Sequence, residues 1–117
     1  MPEQASQHSA DTRLASYGTL APGRINHHQL DGLVGAWSTG TVRGRLIEFG
    51  WGADLGFPGL ILEAEGEEVA LAIFESFDLP QHWARLDEFE GENYHRQTCW
   101  VDTPDGPLEV MLYTVNP

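Results

Sequence analysis

The chain has 117 residues and a formal net charge of −12, because 18 acidic side chains outnumber 6 basic ones. That length fits one domain with one core, and 41% hydrophobic and 21% charged residues are typical of a soluble globular protein. Every basic residue is Arg, so lysine nucleophiles and phosphate loops with their Lys are excluded, and the acidic charge argues against nucleic acid or anionic membrane as partner.

The first eleven residues, MPEQASQHSAD, are polar and have neither a basic start nor an apolar stretch. They therefore do not match a signal peptide, and we expect a flexible tail in a cytoplasmic protein. No run of about 18 apolar residues occurs, so the sequence predicts no membrane-spanning helix. We predict a tail over residues 1–11 and a single domain over residues 12–117.

Strands and glycine-rich loops dominate the first half of the predicted domain. Residues 12–20 read as a short strand that runs into a tight loop, although they are less apolar than a central strand usually is. Asn26 is suited to cap a short helix over residues 27–30. Residues 34–48 predict one long bent strand, or two joined at a bulge, and a Gly-rich aromatic loop follows over residues 49–59.

The second half predicts one helix between two hairpins. The helix covers residues 81–90, with Asp78 as its N-cap, Pro80 in its first turn and Gly91 at its end. Each hairpin consists of two runs with strand-like patterns around a turn. The strand pairs are residues 59–64 with 68–74, and residues 94–103 with 108–115. The order β-α-β-β-β-α-β-β predicts one α+β domain with a curved, largely antiparallel sheet.

Several common chemistries lack their sequence patterns. The five His residues show no metal-ligand spacing, since His27 and His28 are adjacent and point about 100° apart on a helix. Cys99 is the single cysteine and lies in the middle of a predicted strand, where no helix N-terminus would lower its pKa. Neither the Ser nucleophile elbow nor the dinucleotide-binding glycine pattern occurs.

Two segments do favour a functional site. In residues 17–23 (YGTLAPG) a strand breaks at Gly18 and Thr19, which exposes backbone N–H groups that can hold a carboxylate or a carbonyl oxygen. In the predicted helix, Glu90 falls on the same face as Trp83 and Leu86. A carboxyl held against apolar neighbours has a raised pKa, as a general acid/base at neutral pH requires. The alternative is that Glu90 points into solvent at a frayed helix end.

Together these segments resemble the gamma-glutamylcyclotransferase-like (AIG2-like) superfamily, and most closely its gamma-glutamylamine cyclotransferase branch. The resemblance is carried by YGTLAPGRINHHQL at residues 17–30, by LDEFEGENYHR at residues 86–96, and by a Pro-Gly pair at residues 58–59. It extends over about residues 12–115. The fold it implies is a small mixed, largely antiparallel β-barrel with two flanking helices, in the α+β class.

The resemblance also implies roles for individual residues. Glu90 would be the catalytic acid/base. Asp87 and Glu88 would have surface or capping roles. The substrate-binding loop would comprise Tyr17, Gly18, Thr19 and Leu20, with Arg24, Tyr94 and Arg96 as supports of the pocket.

The implied activity is the release of 5-oxoproline from a γ-glutamyl amine or peptide, by attack of its α-amine on its own γ-carbonyl. Neither metal nor organic cofactor is required. The expected partner is a small γ-glutamyl substrate, without nucleic acid or membrane, and the protein would be a monomer or homodimer. The alternative is a non-catalytic binding protein that captures 5-oxoproline, γ-glutamyl compounds or another small carboxylate.

Overall fold

A computed structural model of the chain describes residues 10–17, 30–48, 58–91 and 94–115. Within these ranges the strands are β1 (Arg13–Ser16), β2 (Ala36–Glu48), β3 (Pro58–Leu62), β4 (Glu67–Glu75), β5 (Tyr94–Thr103) and β6 (Gly106–Val115). The helical elements are α1 (Trp83–Glu90) and 3-10 turns at Ala10–Thr12 and Leu79–Gln81. The predicted helix over residues 27–30 and the aromatic loop lie almost wholly outside the described residues.

The strands form a closed barrel. Their order is β3-β2-β4-β1-β6-β5, and a further pairing of β2 with β5 closes a ring of five strands, with β3 attached to β2 outside it. β1 runs parallel to β6, whereas the other pairs are antiparallel. The expected class is therefore confirmed: an α+β domain built on a mixed, largely antiparallel barrel, with one α-helix and 3-10 turns in its described part.

Closure of the barrel depends on Gly40. β2 meets β5 where Thr41 pairs with Asp102, next to this glycine. A Cβ on Gly40 would lie 2.8 Å from the backbone oxygen of Asp102 and 2.9 Å from a methyl group of Ile73. Only a residue without a side chain lets the two strands approach this closely.

β1 is a central strand, although its sequence is polar. It lies between β4 and β6, and all four of its residues are buried. The guanidinium of Arg13 is 3.3 Å from the Glu75 carboxylate and donates to the backbone oxygen of Glu109 at 2.9 Å. Burial is tolerated because these partners replace water. The polar composition of this segment therefore does not prevent it from forming a buried central strand.

The predicted tail boundary also moves. Ala10 is buried in the core, and the backbone oxygen of Asp11 accepts a hydrogen bond of 2.8 Å from the Trp83 indole N–H. Both residues therefore belong to the folded unit and not to a tail that ends at residue 11. Residues 1–9 lie outside the described ranges.

Two apolar clusters hold the barrel and its helix together. One lies between the strands and contains buried side chains such as Ile73, Leu60 and Leu112. The other lies beneath α1 and includes Trp83 and Leu86. A fully buried leucine side chain contributes roughly 1.5–3 kcal/mol, so the apolar face of α1 anchors the helix firmly. None of the described helices is long and apolar enough to cross a membrane.

Of the two ends of α1, only the N-terminal one differs from the prediction. Leu79–Gln81 form a 3-10 turn, so the α-helix begins at Trp83 instead of residue 81. Asp78 does not cap with its side chain, because its carboxylate accepts the Val34 N–H at 2.8 Å. At the other end Gly91 adopts a φ of 90°, which only glycine takes readily, and the helix stops at Glu90 as predicted.

Candidate active site

Glu90 is the last residue of α1, where the apolar face of the helix reaches the barrel. Its side chain is half-buried. Burial and, to a smaller extent, the nearby Asp87 charge together raise the pKa of Glu90 from 4.5 to about 7. Both the carboxylate and the carboxylic acid are therefore populated near neutral pH.

Asp87 lies one helical turn before Glu90 and has the opposite electrostatic setting. Its carboxylate accepts hydrogen bonds from Arg96 Nε at 2.8 Å, from Arg96 Nη2 at 3.1 Å and from the Tyr113 hydroxyl at 2.7 Å. The hydrogen bonds from Arg96 are the main cause that lowers the pKa of Asp87. Asp87 is thus a fixed anion tied to two strands, and although its side chain is 42% exposed, its role extends beyond the expected surface or capping one. Glu88 is exposed, as expected.

The site therefore contains two carboxyl groups whose pKa values are moved apart. Asp87 remains ionised because of a bidentate arginine, whereas Glu90 is neutralised easily because it is buried beside a negative charge. Such a pair typically divides the work between a permanent charge and a group that exchanges protons.

The aromatic residue Trp83 connects this pair to the rest of the fold. The Arg96 guanidinium lies 4.6 Å from the centre of the Trp83 ring, within the range of a cation–π contact. Trp83 also meets Tyr113 edge-on, with ring centres 6.4 Å apart. Because Arg96 and Tyr113 are directly opposed on β5 and β6, the hairpin and the helix form one connected unit.

Tyr17 links the end of β1 to this unit. Its hydroxyl donates to the Tyr113 backbone oxygen at 2.6 Å and accepts the Leu60 N–H at 3.1 Å. Burial raises the pKa of the Tyr17 phenol, and the charge of Glu90 adds to that rise, so the two side chains lie within electrostatic reach.

Four of the predicted site residues cannot be placed. Gly18, Thr19, Leu20 and Arg24 lie outside the described residues, and their roles remain predictions. Tyr94 is half-buried, and its pKa is raised by burial and then by the charge of Glu90. Arg96 supports α1 through Asp87, as described above.

A cleft of about 670 Å³ opens beside the C-terminus of α1. Glu90 is not among its lining residues, so this cleft alone does not contain the candidate acid/base. The residues that line it are Asp87, Glu88, Gly91, Tyr94, His95, Arg96 and Tyr113.

Other chemistries find little support in the described part of the chain. There, no group of three or more His, Cys, Asp or Glu side chains is arranged to hold a metal ion. Cys99 lies half-buried on β5, and burial raises the pKa of its thiol, which opposes a reactive thiolate.

Comparisons with known proteins bear on the family and the fold. A family model described as gamma-glutamyl cyclotransferase, AIG2-like, matches residues 14–117. A search of curated proteins found no match.

Solved structures resemble the fold over most of the chain. YkqA from Bacillus subtilis is 28% identical with a TM-score of 0.68 over 90% of this chain, which spans only 36% of YkqA. An AIG2-like protein from Mus musculus is 26% identical with a TM-score of 0.71, and the match covers 89% of this chain and 76% of the mouse protein's chain. Allophanate hydrolase from Kluyveromyces lactis shares the fold alone, since it is only 17% identical. Its TM-score is 0.69, and the match covers 91% of this chain and 17% of the hydrolase chain.

Proposed function

The chain belongs to the gamma-glutamyl cyclotransferase, AIG2-like family, and we propose that it releases 5-oxoproline from a γ-glutamyl amine or peptide with Glu90 as general acid/base. The observation that carries this proposal is the half-buried Glu90 carboxyl at the end of α1, whose pKa is raised to about 7 by burial and by the Asp87 charge. The proposed substrate is a small molecule with a free α-amino group and a γ-amide.

The reaction is an exchange of one amide bond for another. The substrate's α-ammonium gives a proton to the Glu90 carboxylate, and the resulting amine attacks the γ-carbonyl carbon of the same molecule. The new C–N bond closes the 5-oxoproline ring while the bond to the leaving amine breaks. Glu90 gives this first proton to the leaving nitrogen, takes the second proton that the ring nitrogen loses on becoming an amide, and passes it to the released amine, which departs as an ammonium ion. Attack within one molecule needs no covalent enzyme intermediate, which is consistent with a chain without Lys.

The pKa of Glu90 suits both proton transfers. A free α-amino group has a pKa of about 8, so its proton moves to a group with a pKa of about 7 at a cost of about 1.4 kcal/mol. A glutamate at its ordinary pKa of 4.5 would accept that proton at a cost of about 5 kcal/mol. Burial of Glu90 therefore supports its role as the base, and its neutral form is still acidic enough to protonate a departing amine.

The loop that begins at Tyr17 supplies the proposed binding contacts. The backbone N–H groups of residues 18–20 would hold the substrate's carboxylate and help the developing oxyanion. The two hydrogen bonds of the Tyr17 hydroxyl fix the start of this loop to β3 and β6. The protein is strongly acidic and therefore repels a substrate that carries a carboxylate. We propose that the guanidinium of Arg24 neutralises the charge of this carboxylate.

A substrate panel tests the proposed activity. The protein is incubated with γ-glutamyl-ε-lysine, γ-glutamylalanine and glutathione, and 5-oxoproline is quantified. We expect release from at least one of them, and the one used fastest identifies the leaving group. If 5-oxoproline raises the melting temperature but no compound yields it, the protein is a binding protein and the proposed activity is wrong.

A further inference from the structure

We propose that Asp87 is a positioning residue for Glu90: held by Arg96 and Tyr113, it provides a fixed negative charge one helical turn before the Glu90 carboxyl. The inference deepens the proposed function and rests on it for its kinetic consequences. Its structural and electrostatic parts concern the folded protein and do not require turnover.

Asp87 and Glu90 are three residues apart on α1, so their side chains are neighbours on one face of the helix. Both oxygens of the Asp87 carboxylate are occupied, one by Arg96 Nε and the Tyr113 hydroxyl, the other by Arg96 Nη2. A bidentate pair with a third donor leaves this carboxylate little freedom to turn.

The contacts of the Asp87 carboxylate join α1 to two strands. Arg96 lies on β5 and Tyr113 lies opposite it on β6, so Asp87 fastens the last turn of α1 to both strands. Trp83 supports the same contact from the first turn of the helix, beneath the Arg96 guanidinium. Since Glu90 follows Asp87 by less than one turn, the contact fixes where the Glu90 carboxyl lies against the barrel.

The titratable groups beside the end of α1 are Tyr94 and Arg96 on β5 and Tyr113 on β6, with exposed Glu88 and His95 at its edge, and Tyr17 after β1 interacts with Glu90 electrostatically. The three tyrosines have raised pKa values and are uncharged at neutral pH. Arg96 is engaged by Asp87, so Asp87 is the anion that acts on Glu90.

A simple structural salt bridge would predict a different outcome. Asp87 is partly exposed, and a pair of this kind adds little to stability by itself. A merely structural Asp87 would change the melting temperature when replaced, but would leave the titration of Glu90 where it is. A positioning Asp87 must change that titration.

The test is a carbon-13 NMR titration of the Glu90 carboxyl in the full chain and in two variants. Asp87→Asn keeps an oxygen that accepts from Tyr113 and Arg96 but removes the charge. We expect the Glu90 midpoint to fall by at least about 1 pH unit. Glu88→Gln is the matched control, because it removes an exposed carboxylate from the same helical turn, and its Glu90 midpoint stays at the wild-type value.

A second variant covers the case in which Asp87→Asn does not fold. Arg96→Met retains the packing of the side-chain stem on Trp83 but leaves the Asp87 charge without its partner. We expect the Glu90 midpoint to rise. An unchanged midpoint in Asp87→Asn, or an unchanged or lower one in Arg96→Met, overturns the proposal.

Kinetics separate this inference from the proposed function. If wild type releases 5-oxoproline, the acid limb of its kcat/KM profile moves with the NMR midpoint in Asp87→Asn. If the midpoints move as expected but no γ-glutamyl compound is turned over, the proposed function fails and the coupling of Asp87 to Glu90 stands. If turnover occurs but the midpoint in Asp87→Asn does not move, the proposed function stands and Asp87 is structural.

Discussion

The raised pKa of Glu90 predicts that its replacement by Gln stabilises the protein in a pH-dependent way. A glutamate whose pKa is higher in the folded state than in the unfolded chain resists ionisation only when folded. Its full contribution to stability is therefore present below the unfolded pKa of 4.5, and it is lost as the pH rises through about 7. Gln has the shape of the neutral acid and cannot ionise, so Glu90→Gln should not suffer this loss.

The size of the effect follows from the two pKa values. The interval from 4.5 to about 7, at 1.36 kcal/mol for each pH unit, corresponds to about 3 kcal/mol. Partial solvent access of the Glu90 side chain reduces this figure, and we expect about 2–3 kcal/mol at pH 8. For a domain of this size that is a rise of about 10 °C in melting temperature.

Urea unfolding at pH 4 and pH 8 provides the measurement. Glu90→Gln should match wild type at pH 4 and exceed its free energy of unfolding at pH 8. The control Glu88→Gln removes an exposed carboxylate and should stay within about 0.5 kcal/mol of wild type at both pH values. An equal gain at both pH values, or none at pH 8, would refute the reasoning that burial and Asp87 raise the pKa of Glu90.

Three further substitutions test the fold that holds the site, each by its free energy of unfolding. Leu86→Ala should lose about 2–5 kcal/mol, because this side chain is completely buried beneath α1. Gly40→Ala should lose about 1–3 kcal/mol through overpacking where β2 meets β5, whereas Ser38→Ala at an exposed position of β2 should change little. Tyr17→Phe should lose about 1–3 kcal/mol, since it leaves a buried backbone N–H of β3 without its acceptor.

The sequence predicts best those elements whose signals are local. The hairpin of β5 and β6 follows from alternation around one turn, although β6 begins two residues earlier than the predicted residue 108. The end of α1 follows from Gly91, whose conformation a residue with a side chain rarely adopts. The face that contains Trp83, Leu86 and Glu90 follows from helical periodicity, and the first two are buried.

Features that depend on distant partners could not be read from the sequence. Arg13 is compatible with a buried central strand only because Glu75 and Glu109 lie beside it in the fold. Nothing near Asp87 in the sequence indicates that β5 and β6 bring Arg96 and Tyr113 to its carboxylate, so this contact cannot be predicted from a local pattern. Closure of the barrel likewise depends on a pairing of β2 with β5 that no local pattern reveals.

The central claim is that Glu90 carries the protons in the formation of 5-oxoproline. It is tested most directly by the kcat of Glu90→Gln on the best γ-glutamyl substrate at neutral pH, with 5-oxoproline binding measured in the same variant. We predict a loss of about 10²- to 10⁴-fold in kcat with binding retained, and a wild-type rate in the Glu88→Gln control. Turnover by Glu90→Gln at the wild-type rate would contradict the account.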